Sequence, residues 1–263
     1  MVLLLLALPV VVQAQSYTNS YGIWTYVTTN GTITITKYTG PGGDVTIPDI
    51  INGLPVTTIG DFALFDCWSL SSVTIPNNIM NIGYAAIADC LNLTNVTIGN
   101  GVTSIGYEAF ADCVSLTGVT IPVTVTSIGD YAFFVCQRLR GVYFTGSVPS
   151  VGGTNVFTSA TNTIVYYLPG TTGWSPTFAG RPTAQWFLPN PLILNNSFGI
   201  QTNQFGFIIS WATNVPVVVE ACTNLANPTW SSVGTNALTN GSAYFSDPQW
   251  TNYPARFYRI RSP

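Results

Sequence analysis

A 23-residue period dominates this chain. Residues 73–95, 96–118 and 119–141 are three consecutive units that align without a gap. Each opens on Val-Thr-Ile (from Val73, Val96 and Val119) and reaches Ile-Gly at Ile82-Gly83, Ile105-Gly106 and Ile128-Gly129. Each then shows Ala86, Ala109 or Ala132, a cysteine, and a leucine three residues after that cysteine. An earlier unit, 45–72, has the same landmarks with five extra residues near Asn52-Gly53-Leu54-Pro55, a degenerate fifth covers 142–164, and Val165 starts a sixth. No unit this short can bury its apolar side alone, so the units must stack around one continuous core. In Val-x-Ile the apolar residues alternate with an exposed one, which predicts a strand with Val and Ile inward. The run Tyr107-Glu108-Ala109-Phe110-Ala111-Asp112-Cys113 is expected to make one or two helical turns that lay Ala109, Phe110 and Cys113 on the core. The preceding glycine is expected to supply a tight turn.

The unit resembles that of the bacterial surface-antigen, or BspA-like, leucine-rich repeats, I-G-x-x-A-F-x-x-C-x-x-L-x-x-V-x-I-P. Residues 105–122, from Ile105-Gly106 through Ala109-Phe110, Cys113 and Leu116 to Val119-Thr120-Ile121-Pro122, carry it almost intact. The likeness covers roughly residues 45–168, and the period lies within the about 20 to 29 residues of leucine-rich repeats. The resemblance implies a leucine-rich-repeat solenoid, secretion or surface display, binding of proteins or glycans, and no catalysis. It does not fix a ligand.

Outside the repeats, residues 1–14 are nearly all apolar and end on Val12-Gln13-Ala14, as a secretory signal peptide does. No Lys or Arg precedes the apolar stretch, which leaves a longer leader or a buried strand as competing readings. The run is shorter than the roughly 20 residues of a membrane-spanning helix, and no later run is long enough, so no membrane span is expected. Residues 15–44 read as an N-terminal cap of strands, 45–168 as the solenoid and 169–191, rich in Pro, Gly and Thr, as a cap and linker. From 192 to 263, short strand-like runs separated by turns such as Asn240-Gly241 suggest a small β-sandwich of immunoglobulin or fibronectin-like layout. It loosely resembles the terminal β-module of secreted proteins in environmental bacteria. The expected fold class is therefore mainly β with short helical turns, a solenoid followed by a small β-sandwich.

Composition excludes several functions. The 263 residues include no histidine, one lysine (Lys37) and only 17 charged groups, for a net charge of −3. Histidine proton relays and metal sites are absent, and nothing basic is clustered for nucleic acid. No cofactor, metal or catalytic residue is expected.

Cys67, Cys90, Cys113 and Cys136 repeat at 23 and should form a structural ladder of parallel side chains. A Cβ spacing near ~4.8 Å exceeds the ~3.5–4.5 Å of a disulfide, which predicts buried free thiols. Cys222 is expected to lie buried in a strand of the second domain. A serine at position 113 would be expected to lack a hydrogen-bond partner. Asp66, Asp89 and Asp112 form a short acidic stack, read as helix caps or solvated carboxylates or, with oxygen ligands only, a calcium site. The strand-middle residues Thr46, Thr74, Thr97, Thr120, Tyr143 and Tyr166 should point outward on a concave face. Thr is a good exposed strand residue. The change to tyrosine suits either recognition or a terminal cap, with Phe144 joining the patch if the degenerate turn exposes it. The expected function is binding or adhesion, secreted or at the cell surface, toward a protein or glycan. The alternative is a structural protein that self-associates into an extracellular fibre or matrix.

Overall fold

The computed structural model describes residues 13–186, 192–194, 198–201, 204–211 and 216–261, so the expected leader falls almost wholly outside the described residues. The repeats stack as a β-solenoid. Strands Gly43–Thr46, Leu70–Ile75, Asn95–Ile98, Gly118–Ile121, Gly141–Phe144 and Ile164–Tyr167 run parallel in one sheet. The register is one repeat per strand: Val73 lies opposite Val96, Val119 opposite Val142, and Tyr143 opposite Tyr166. Val73, Ile75, Val119, Ile121 and Val142 are buried, as the alternation of apolar and polar residues requires.

A second, shorter ladder runs beside the first. Asn81–Ile82, Ser104–Ile105, Ser127–Ile128 and Ser150–Val151 also pair in parallel. These strands, two residues each, are too short to show an alternation in the sequence. Their sheet begins with the antiparallel strands Gln15–Asn19, Gly22–Thr29 and Thr32–Thr39, the last of which joins Leu54–Ile59 in parallel. That hairpin closes the N-terminal end of the core with Trp24 and Tyr26 fully or almost fully buried.

The runs expected to be helical are stacks of β-turns. Ala109 N–H bonds to Gly106 O and Ala111 N–H to Glu108 O within one turn, while Glu108, Phe110 and Asp112 donate to Asp130, Ala132 and Phe134 of the next. Two of these backbone donors are satisfied locally and three between repeats. The reason is pitch. Strands on both sides hold successive repeats about 4.8 Å apart, whereas packed helices need about 8–10 Å. Left-handed residues recur where the turns reverse, at Phe62, Ala85, Glu108 and Tyr131 and again at Asp66, Asp89, Asp112 and Val135, with φ between 45° and 61°. Aspartate tolerates that conformation better than most residues, which accounts for the aspartate before three of the cysteines.

Gly83, Gly106 and Gly129 are not among the residues with positive φ. Their role is close approach: a Cβ on Gly106 would lie 2.6–2.8 Å from Gly83 O, Gly83 C and Ile82 O of the preceding turn. At the C-terminal end, strand Arg181–Gln185 adds in parallel to Ile164–Tyr167. Trp174 covers the core there, its ring centroid 4.9 Å from Phe144, 5.1 Å from Tyr167 and 5.5 Å from Phe178.

Beyond this lie two further antiparallel groups of strands. Gln204–Ser210 pairs with Leu192–Ile193, Gly199–Gln201 and Ser242–Asp247, and Pro216–Cys222 lies between Ser231–Ala237 and Phe257–Arg261. Phe207, Ile209 and Phe245 from the first group share a core with Val217 and Val219 from the second. In the last strand Arg259 and Arg261 donate through Nε to Glu220, at 2.7 and 2.9 Å.

Candidate functional site

Parallel pairing projects the strand-middle side chains from one face of the long sheet, and the face differs along its length. Thr97 and Thr120 are exposed, whereas Thr46 and Thr74 are half-buried. Tyr143 and Tyr166 lie opposite each other and stack, with centroids 5.0 Å apart and planes 9° from parallel. Trp186 joins them from just past the added strand, 4.9 Å from the Tyr143 ring. Trp186 falls in the segment read from sequence as cap and linker, and no period there places it beside the repeats. Phe144, by contrast, points inward and is 2% exposed, so it does not belong to this patch.

The Tyr143 ring lies along its own strand over Gly141, where a Cβ would sit 2.6 Å from the ring. It thereby walls a cleft of about 370 Å³ whose base is Gly118 with Asn95, Thr97 and Thr120. A larger hollow of about 650 Å³, bounded by Ile50 and Pro55 of the insertion and by Thr74, Asn77 and Asn100, meets this cleft at Thr97 and Ile98. Four of the six strand-middle residues, Thr74, Thr97, Thr120 and Tyr143, therefore border one groove. Thr46 lies outside the lining, and Tyr166 backs the Tyr143 wall. Hydroxyls, amides and an aromatic wall can make hydrogen bonds and stacking contacts, and Asp49 adds a single carboxylate to the lining of the larger hollow.

Cys67, Cys90, Cys113 and Cys136 are free thiols, and all but Cys67 are buried. Cys90, Cys113 and Cys136 are fully buried and donate through Sγ to Leu64 O, Ile87 O and Phe110 O, at 3.2, 3.2 and 3.1 Å. Among the described residues no backbone N–H reaches those three carbonyls. The thiol is thus a donor that the core requires, and a serine hydroxyl at 113 would have an acceptor in Ile87 O, contrary to the expectation from sequence. Cys67 is only half-buried, because no complete repeat covers the ladder on that side; burial still pushes its thiol up to about 12. Cys222 is buried in its strand. The acidic stack gathers no metal-binding group: among the described residues no three Asp, Glu, Cys or His side chains converge. Burial, then Asp89 and Glu108, raise the pKa of Asp112.

The family follows from comparison with known proteins. The model of the BspA-type leucine-rich repeat region matches residues 44–164 as six copies. A leucine-rich repeat protein of T. pallidum is 31% identical with a TM-score of 0.51, over 54% of this chain and 68% of that one. The chain belongs to the BspA-type leucine-rich repeat family. A leucine-rich repeat protein of Bacteroides capillosus (28% identity, TM-score 0.45) matches over 50% of this chain and 99% of its own. A leucine-rich cell surface protein of Faecalibacterium prausnitzii (24%, 0.46) matches over 58% and 39%. No curated protein matches the chain. Among the described residues no helix is long and apolar enough to cross a membrane.

Proposed function

We propose that this chain is a secreted or surface-displayed binding protein that works without catalysis, recognising a protein or glycan through the outer face of the long sheet. The observation that carries the reading is the stack of Tyr143, Tyr166 and Trp186 beside the Gly118 cleft. The core beneath is closed by other residues, Trp174 and Phe178, so a capping role does not account for these rings. Aromatic anchors next to a cleft rimmed by hydrogen-bonding groups are the usual form of a recognition surface. We further infer that residues 1–14 are a signal peptide and that the two C-terminal sheets constitute a β-sandwich module of immunoglobulin or fibronectin-like type.

The test is a double change, Tyr143→Ala with Tyr166→Ala, screened on a glycan array and on immobilised extracellular proteins. Binding should weaken by about 2 kcal/mol or more, roughly 30-fold, with the melting temperature nearly unchanged. A fall in stability with binding retained would assign the rings to the architecture and end this reading. Mass spectrometry of the exported protein should find it starting near Gln15; an intact Met1 would refute the leader.

A further inference from the structure

The turn stack carries a second aromatic row, on a different face from the tyrosines of the sheet. Phe62, Tyr84, Tyr107 and Tyr131 follow one another with ring centroids 4.8, 5.6 and 5.6 Å apart. Phe65 and Phe134 abut the two ends. Phe62 is 47% exposed, Tyr107 44% and Tyr84 39%. Contiguous exposed rings on a monomer mark an interaction surface.

The surrounding charge has one sign. No Lys or Arg occurs between Lys37 and Arg138, a stretch that holds eight of the ten acidic residues. Asp61 accepts a hydrogen bond from Tyr84 N–H at 2.8 Å, and Asp130 takes two from Asn155. The charge of Glu108, ahead of burial and Asp61, raises the pKa of Tyr84. None of these three carboxylates has a cationic partner in the described residues. Elsewhere the chain shows what fills such a combination: Arg259 lies 4.5 Å from the Trp230 ring while bonding Glu220, and Arg256 lies 4.4 Å from Tyr253 while paired with Asp247. On the turn face the rings and carboxylates are present and the guanidinium is missing.

We propose that the turn face docks an extended, arginine-rich segment of a partner protein along the row from Phe62 to Tyr131. A planar guanidinium can stack on a ring and bond a carboxylate at once, which an ammonium does less well. Alternate side chains of an extended segment fall about 6.6 Å apart, close enough to the ring spacing for flexible arginines to reach successive gaps.

The probe is a fluorescein-labelled peptide of alternating Arg and Ser, compared with matched Lys-Ser, Gly-Ser and Glu-Ser peptides by anisotropy on the whole protein. The Arg-Ser peptide should bind best, and its affinity should fall as salt rises. Changing Tyr84 and Tyr107 together to Ser should weaken it about tenfold, and changing both to Phe should not. Glu108→Gln with Asp61→Asn should also weaken it, and the asparagine side-chain oxygen can still accept from Tyr84 N–H. Tyr143→Ala with Tyr166→Ala should leave it intact, so this proposal and the sheet-face reading fail separately. Equal binding of all four peptides, salt-independent binding, or full affinity in a folded Tyr84→Ser, Tyr107→Ser variant would overturn it. Loss of glycan binding in that same variant, with no peptide bound, would assign the row to sugars instead.

Discussion

Replacing Cys113 distinguishes packing from hydrogen bonding in the core. Its thiol is fully buried and donates to Ile87 O at 3.2 Å, and that carbonyl receives no backbone donor among the described residues. Cys113→Ala removes both the sulfur and the donor. An orphaned buried carbonyl costs about 1–3 kcal/mol, and losing a group little larger than a methylene adds about 1 kcal/mol, for roughly 2–4 kcal/mol in all. Cys113→Ser keeps a donor, and a stronger one, on a side chain a few tenths of an ångström shorter; about 1 kcal/mol should be lost. Cys113→Val fills the space with no donor and should fall between the two or beside alanine. Urea unfolding followed by tryptophan fluorescence gives the order, since Trp24 and Trp174 cap opposite ends of the solenoid core. If serine proves as costly as alanine, or valine restores full stability, the thiol serves only as volume and the hydrogen-bond argument is wrong.

Gly106→Ala should cost about 3 kcal/mol, because its Cβ would meet three backbone atoms at 2.6–2.8 Å, whereas Gly53→Ala, with nothing within 4 Å and φ of +81°, should cost only about 1–2 kcal/mol. Reversal of that order in denaturant midpoints would refute the close-approach role. Burial holds Cys67 and Cys136 up to about 12, and Cys90 is raised first by the neighbouring Cys113 thiol and then by burial, against an ordinary 9.0. The folded chain therefore keeps protons that the unfolded chain releases above about pH 9, so stability should fall as pH rises from about 9 toward 12; a flat urea midpoint there would contradict it. Native protein treated with maleimide should be labelled at Cys67 before Cys90, Cys113 or Cys136, as peptide mapping would show. Glu220 is held below its ordinary 4.5 by hydrogen bonds from Arg261 and then Arg259, so the C-terminal sheets should lose stability as pH falls through that lowered value, and Glu220→Gln should abolish this acid dependence.

The one-repeat register of the long sheet and the inward Val and Ile of its strands were legible in the sequence, because Val-x-Ile alternation in three gap-free units of 23 residues leaves only one way to stack them. The equivalence of Cys90, Cys113 and Cys136 was legible for the same reason, since the three recur at the same position of successive units. What the period could not express is the distance between units and what each side chain meets across it. The strand pitch turned the supposed helical turns into β-turns, put aspartates in the left-handed positions and gave the Ile-Gly glycines their reason. It also supplied the carbonyl that each buried thiol faces. Trp186 joined Tyr143 and Tyr166 through a strand that follows the last repeat, and Tyr84 and Tyr107 met Phe62 and Tyr131 although these occupy two different positions of the unit. Periodicity determines which residues are equivalent; contacts between residues that are not equivalent exist only once the chain is folded.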